Sequence, residues 1–584
     1  MSTAEKYFSL LERLADGCLK YQLRSTGDTA LDGALLCPAC GVIHGRCHEA
    51  AYPLLCLARA TGKEKYLDAA KRLFAWGENM VCEDGSVLND GQSEWRGITV
   101  FSAVSMLHAL MHHGALLSPS EKAQWEERLS RQLTWIKDNI DPDKRPFNIN
   151  YICSGAAALA LGAAYFGSPE MKSAAYRLSR YALARMDADG LIYGEGTPND
   201  LVTPGGARPV DMGYLAEESL PSLYEYAVAA KDEEALRAAK RCARAVLAFM
   251  LPDGAWDNSF GTRNFKWTYW GSRTADGCQA LFNALGKADP VFSEAALRNL
   301  GLYERCLDKY GLLAGGPDYA ARGERACIHH SFCRMKVLAQ VLDEGVCEAP
   351  GAALPTEGAA GSKRYASLGM RRLSAPVWLA DITDGDFEYM KGGHASGGSL
   401  TLLFNRLWGP AVAAANTVYS LKEPHNQQLS RALSSHRTTC PDISVERNGQ
   451  TYHQFFCFGA KSYLEADGTL GVRFVPADIS HAPCPDEAEF HVEYRLTEKG
   501  MDISIGGGSA VFTLPVVCSG AEAEAAGHTA VLRRGGLMLT VIFSRPIASA
   551  QRIFCLSPGL EALELKCPID GDLQVSLRCT EENH

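Results

Sequence analysis

Several familiar signatures are missing from this chain of 584 residues. It has no run of five or more basic residues, and its formal net charge is −10. That argues against nucleic acid and against an anionic membrane surface as partners. A local arginine cluster can still hold an acidic ligand. No apolar run is long enough to span a bilayer: the longest, near Gly155 to Gly167, reads as a buried helix. The opening "MSTAEKYFSLLERLADGCLKYQL" has no basic region followed by an apolar core, so it reads as an amphipathic helix rather than a signal peptide. A cytoplasmic location is the expectation. There is no Gly-rich phosphate loop, no dinucleotide fingerprint and no Gly-x-Ser-x-Gly elbow.

What is present is ordinary in bulk, at 47% hydrophobic and 22% charged. The length exceeds one core and suggests two to four domains. Cysteine is plentiful, with twenty residues, and without a leader these read as reduced thiols. Many, such as Cys56, Cys153, Cys242 and Cys278, sit in helical apolar patterns as small hydrophobes.

The first 345 or so residues show apolar positions at three- and four-residue spacing, helix after helix. A repeat runs through them. Asp84, Asp189 and Asp253 each stand twelve residues after an arginine (Arg72, Arg177, Arg241) and precede a glycine; Asp143 after Arg131 is a weaker copy. Helix pairs of this kind must stack to bury their apolar faces. Closed into a ring they make an α/α toroid; left open, a solenoid. After a linker of small residues the pattern becomes short alternating strands bounded by Gly, Pro and Asp. The expectation is a multidomain α+β chain: an N-terminal (α/α) toroid carrying catalysis over residues 1–347, a linker over 348–363, and a C-terminal antiparallel β-sandwich over 364–584.

The loops after the Asp-Gly turns should share one rim, and function concentrates on loops held by a scaffold. The densest is "WDNSFGTRNFKWTYWGSRT", Trp256 to Thr274. Trp256, Trp267 and Trp270 can stack on sugar faces, and Arg263, Lys266 and Arg273 can hold a carboxylate or sulfate. Asp257 and Asn258 can bond hydroxyls, and Tyr269 can act as acid or base. The other reading of this loop is a packed plug between the domains. "FNINY" offers Asn148, Asn150 and Tyr151, of which one asparagine is enough to cap a helix. The segment from Gly190 to Leu220 supplies Glu195, Asp200, Arg208, Asp211, Tyr214, Glu217 and Glu218. The last two read as first-turn charges favoured by the helix dipole. "CPACGVIHGRCHEA" groups Cys37, Cys40, His44 and Cys47, a possible structural zinc site; otherwise it is a rim loop with His44 and Arg46 facing substrate. His394 lies among glycines before a strand, and His329 and His330 start the last predicted helix of the first domain.

Taken together, the helical domain with its β domain, "NINY", "DNSFGTRNFKWTYWGSRT" and "GGHASGGSLTL" resemble the heparinase II/III-like group of polysaccharide lyases over the whole length. The resemblance implies β-elimination from uronic-acid-containing oligosaccharides, with no cofactor required. It implies Asn150 (or Asn148) and Arg273 as neutralisers of the uronate carboxylate, Tyr214 or Tyr269 as acid/base, and His394 as a second base. A chain expected to stay inside the cell would trim imported fragments from one end, and a homo-oligomer is possible. The rival readings are a glycoside hydrolase using Glu195, Asp211 or Asp257, and a carbohydrate-binding protein without turnover.

Overall fold

The computed structural model describes residues 1–90, 94–348, 351–389, 395–415, 438–486 and 489–582. Helices fill the first part: α1 Thr3–Leu19, α2 Ala51–Thr61, α3 Glu64–Gly77, α4 Thr99–His113, α5 Pro119–Asn139, α6 Ile149–Phe166, α7 Pro169–Leu183, the short α8 Met212–Tyr214, α9 Leu220–Ala230, α10 Glu233–Val246, α11 Gln279–Gly286, α12 Pro290–Arg305 and α13 Ile328–Glu344. In the ring, α2, α4, α6, α9, α11 and α13 follow one another, and α13 returns to pack on α2. An outer layer covers them: α3 on α2, α5 on α4, α7 on α6, α10 on α9, α12 on α11 and α1 on α13. The toroid is therefore closed. The sequence pattern follows from the two layers. Outer α10 buries only Ala235, Ala239, Cys242, Ala243 and Val246, at helical spacing on one face. Inner α6 is buried along most of its length. By length and composition alone α6 could cross a membrane; here it is a core helix of the ring.

The repeat has a mechanical cause. Gly85, Gly254 and Gly311, all at φ between +86° and +89°, close hairpin-like turns after α3, α10 and α12. A Cβ on each would lie 2.6, 2.4 and 2.7 Å from the backbone of Arg131, Arg298 and Arg13 respectively. Each turn thus docks on the next outer helix, and Gly311 docking on α1 closes the circle. The arginine returns the contact: Arg298 Nη1 donates to Pro252 O at 2.8 Å and Arg241 Nη2 to Ala188 O at 2.8 Å. The copy at Gly311 escapes the Asp-Gly pattern because Tyr310 stands where the others have Asp. The copy assigned to Asp143 forms no such bridged turn; α5 instead runs out at Asn139.

The strands of the C-terminal domain begin at Gly361, three residues inside the stretch expected as linker. Two strands, β1 Trp267–Thr268 and β2 Gly271–Ser272, form a small hairpin in the aromatic loop. The C-terminal domain has a five-stranded sheet, β3 to β7 between Gly361 and Ala413, and an eleven-stranded sheet, β8 to β18 between Asp442 and Glu581, every pairing antiparallel. The sheets share one core, in which Leu373, Ile382 and Leu400 from the first meet Ile443, Val472 and Ile503 from the second. The sandwich leans on the aromatic loop. Ser557 Oγ lies within donating distance of both Trp267 O (2.7 Å) and Asn264 O (2.9 Å), and Tyr269 N donates to Pro558 O (3.0 Å).

Candidate active site

Asp211 fastens the site together. It caps α8 by accepting from Tyr214 N at 3.0 Å. The same carboxylate accepts from Asn258 Nδ2 (3.0 Å) and Arg263 N (2.9 Å), while Asn258 Oδ1 accepts from Met212 N at 2.7 Å. Asp211 and Asn258 are thus occupied in joining the aromatic loop to α8, which brings Tyr214 against the loop's cations. Its hydroxyl hydrogen-bonds Thr274 Oγ1, and Lys266 Nζ donates to it across 3.4 Å. The guanidinium of Arg263 stands 4.5 Å above its ring. Burial pushes the Tyr214 phenol above its ordinary value, and Arg263 opposes that shift.

Around this tyrosine the polar groups are deep. Arg263 Nη1 pairs with Glu195 Oε1 at 2.7 Å. Burial raises the Glu195 carboxyl, with Arg263 pulling it back. Asn150, on the first turn of α6, is 1% exposed; its Oδ1 and Glu195 Oε2 are buried and have no hydrogen-bond partner among the described residues. The next residue, Tyr151, accepts from Trp95 Nε1 at 3.0 Å. Burial lifts its phenol to about 12, against the pull of Arg263. On the far side, His329 opens α13. Burial, then the neighbouring His44 and Arg46, hold its imidazole neutral, well below the usual histidine value. Both of its ring nitrogens are buried without a hydrogen-bond partner among the described residues. The rings of His44 and His329 lie 5.1 Å apart.

Several expected site residues are placed elsewhere. The three tryptophans are fully buried, so the plug reading holds for them: Trp267 Nε1 donates to Trp256 O at 2.7 Å and Trp270 Nε1 to Ala314 O at 2.8 Å. Tyr269 is buried too, its hydroxyl donating to Asp253 Oδ2 of the repeat turn at 2.9 Å. Burial, then Asp253, drives its phenol well up. Arg273 is spent on the domain interface, bonding Tyr319 Oη at 3.0 Å and Leu556 O. Asp257 pairs with Arg372 of the sandwich at 2.8 Å, beside Asp381. Arg46 faces inward, bonding Glu49 (2.8 Å), Asp276 (2.9 Å) and Thr274 O (2.8 Å), so it positions the threonine that holds Tyr214. Asn148 precedes α6 without a side-chain cap, and its Oδ1 accepts from Gly196 N at 3.3 Å. Asp200 is exposed, and Arg208 stacks on Tyr193 at 4.3 Å.

Glu217 and Glu218 are not first-turn surface charges. They lie buried in a π-helical turn, Leu215–Ser219, inside the ring. Glu217 accepts from Arg334 Nη2 (2.7 Å) and Ser272 N (2.8 Å), pinning the β1–β2 hairpin, and burial lifts its carboxyl to about 7. His394 lies outside the described residues. Of the possible zinc ligands, Cys37, Cys40 and His44 are brought together. Cys47 is packed in the toroid core, and the thiol that joins the others is Cys327.

A closed helical toroid joined to an antiparallel sandwich, with Lys266 and Arg263 set against a buried Tyr214, is the architecture expected of a polysaccharide lyase. Comparison with known proteins agrees. The profile of the ulvan lyase N-terminal domain matches residues 11–354, and that of the ulvan lyase C-terminal domain matches residues 362–580. The chain belongs to the ulvan lyase family and is a polysaccharide lyase acting by β-elimination. It is 33% identical to a broad-specificity ulvan lyase of Formosa agariphila, over 95% of this chain and 90% of that protein. Among solved structures it is similar to heparinase III, the BT4657 gene product, with a TM-score of 0.50 at 12% identity over 98% of this chain and 84% of that one. That likeness establishes the shared toroid-plus-sandwich fold.

Proposed function

We propose that this lyase cleaves an acidic, uronate-containing polysaccharide at the Tyr214 cluster, working from a chain end. The observation that carries the reading is the convergence of Thr274, Lys266 and Arg263 on the Tyr214 ring and hydroxyl. The substrate carboxylate lies at Lys266, Arg263 and the Asn150 amide. Charge neutralised there makes the adjacent ring C–H acidic, because the electron pair left by the proton spreads into the carboxylate. Tyr214, protonated in the resting site, donates to the leaving glycosidic oxygen. The proton on carbon goes to a neutral imidazole. His329 fits that role by its two unpartnered ring nitrogens, and His394 is the second histidine to test. The depth of the cluster, with Tyr214 4% exposed, favours a chain end over the middle of a polymer.

Kinship with the Formosa agariphila protein makes ulvan the first substrate to try. Ulvan and a panel of uronate oligosaccharides are incubated with the enzyme, following ultraviolet absorbance, reducing ends and product sizes together. Both signals rising, with one small product from the first turnovers, is the expected result. A ladder of intermediate sizes would overturn the chain-end reading. Reducing ends without absorbance would overturn elimination at this site.

A further inference from the structure

We propose that Cys37, Cys40, His44 and Cys327 form a structural zinc site that locks the toroid shut, independently of how the substrate is cleaved. The chain holds the two halves of the site 290 residues apart. Cys37 and Cys40 lie on the loop before α2, and Cys327 is the residue that precedes α13. These are neighbouring inner helices where the ring closes.

The loop is built to aim two thiols the same way. Gly41 N donates to Cys37 O at 2.9 Å and Cys37 N to Val42 O at 3.0 Å, folding Cys37–Val42 back on itself. Gly41 adopts φ +70°, which lets the chain reverse there. His44 follows, and a further bond from Arg325 Nη1 to Pro38 O at 3.1 Å ties the loop to the segment leading into Cys327.

Two of the ligand pairs stand at the length of a tetrahedron's edge. Zinc–sulfur bonds of about 2.3 Å and zinc–nitrogen bonds of about 2.0–2.1 Å place two thiolates about 3.8 Å apart, and a thiolate about 3.6 Å from an imidazole nitrogen. Here Cys37 Sγ to Cys327 Sγ is 3.6 Å, and Cys40 Sγ to His44 Nε2 is 3.4 Å. The ligand atoms of Cys37, His44 and Cys327 all lie within 4.8 Å of one another. A disulfide is the competing use of two thiols, but its sulfurs stand about 2.03–2.05 Å apart, and it would leave Cys40 and His44 with no part in the arrangement. Three thiolates and one imidazole close the coordination shell, so the metal is structural and activates no water. Its effect on the active site is through His44, whose ring lies 5.1 Å from that of His329.

The test uses the full-length protein purified without chelator. Elemental analysis should find about one zinc ion per chain, and X-ray absorption should give a first shell of three sulfurs and one nitrogen. Cys327→Ser should lower the bound zinc severalfold while Cys47→Ser keeps it. A strong chelator should lower the melting temperature, and added zinc should restore it. Protein made with added zinc that carries no stoichiometric metal would overturn the proposal. So would a first shell without sulfur, or a Cys37–Cys327 disulfide found by peptide mapping.

Discussion

Replacing Gly254 by alanine separates two costs that the structure predicts at one position. Gly254 sits at φ +89°, where an L side chain is strained by about 1–2 kcal/mol. Its new Cβ would also lie 2.4 Å from Arg298 C and 2.6 Å from Asn299 N. Those are backbone atoms inside α12 and cannot swing aside, so overpacking adds about 1–3 kcal/mol. The sum is about 2–5 kcal/mol. Gly62→Ala is the control: it has φ +67° but nothing within 4 Å of a Cβ, so only the strain remains. Equilibrium urea denaturation of both variants measures the difference. The damage should also reach function, because Asn299 Nδ2 bonds both Gly254 O (2.7 Å) and Trp270 O (2.9 Å), linking this turn to the loop that carries Lys266. If Gly254→Ala is no less stable than Gly62→Ala, the docking of turn on helix does not hold the ring, and the account of the repeat fails.

Other outcomes follow from particular contacts. Tyr269→Phe should cost about 1.5–3 kcal/mol, from the lost bond to the Asp253 carboxylate, yet leave turnover of folded enzyme within a few-fold of wild type. Lys266→Met should lower kcat/KM by about 10²–10³-fold, as expected when a donor aimed at developing charge is removed; initial rates of absorbance decide it. Glu217 has a folded-state pKa of about 7 against an ordinary 4.5. Its raised value adds stability that is complete below about pH 4.5 and is lost as pH rises through about 7, by roughly 3 kcal/mol. Denaturation midpoints measured across that window should therefore fall with pH, and Glu217→Gln should flatten the fall.

The repeat was readable because each turn needs its glycine and each outer helix its arginine at fixed spacing. It was missed where Tyr310 replaces the aspartate, since a pattern keyed to Asp does not register the glycine's docking on Arg13. The tryptophans of the aromatic loop were ambiguous for a different reason. Its density of tryptophan and charge is what a sugar-binding surface shows, but it is equally what a polar-lined plug between domains needs. Sequence alone does not say that Leu556 O will receive Arg273, or that Arg372 will receive Asp257, because both partners lie in the other domain. Tyr214 and Tyr269 looked alike for the same cause: only the fold puts Asp253 beside one and Lys266 beside the other. Cys327 was out of reach as a partner of Cys37, because their meeting depends on closure of the ring. His329 carried no local signal beyond its type.

The account stands or falls on Tyr214. Turnover of Tyr214→Phe on a substrate that the wild-type enzyme converts, followed by absorbance at saturating concentration with folding checked by circular dichroism, is the direct measurement. A loss of about 10²–10⁴-fold in kcat, as for a missing general acid, with Tyr269→Phe nearly unaffected, is the predicted result. A Tyr214→Phe enzyme that turns over at close to the wild-type rate would contradict the placement of the chemistry at this cluster.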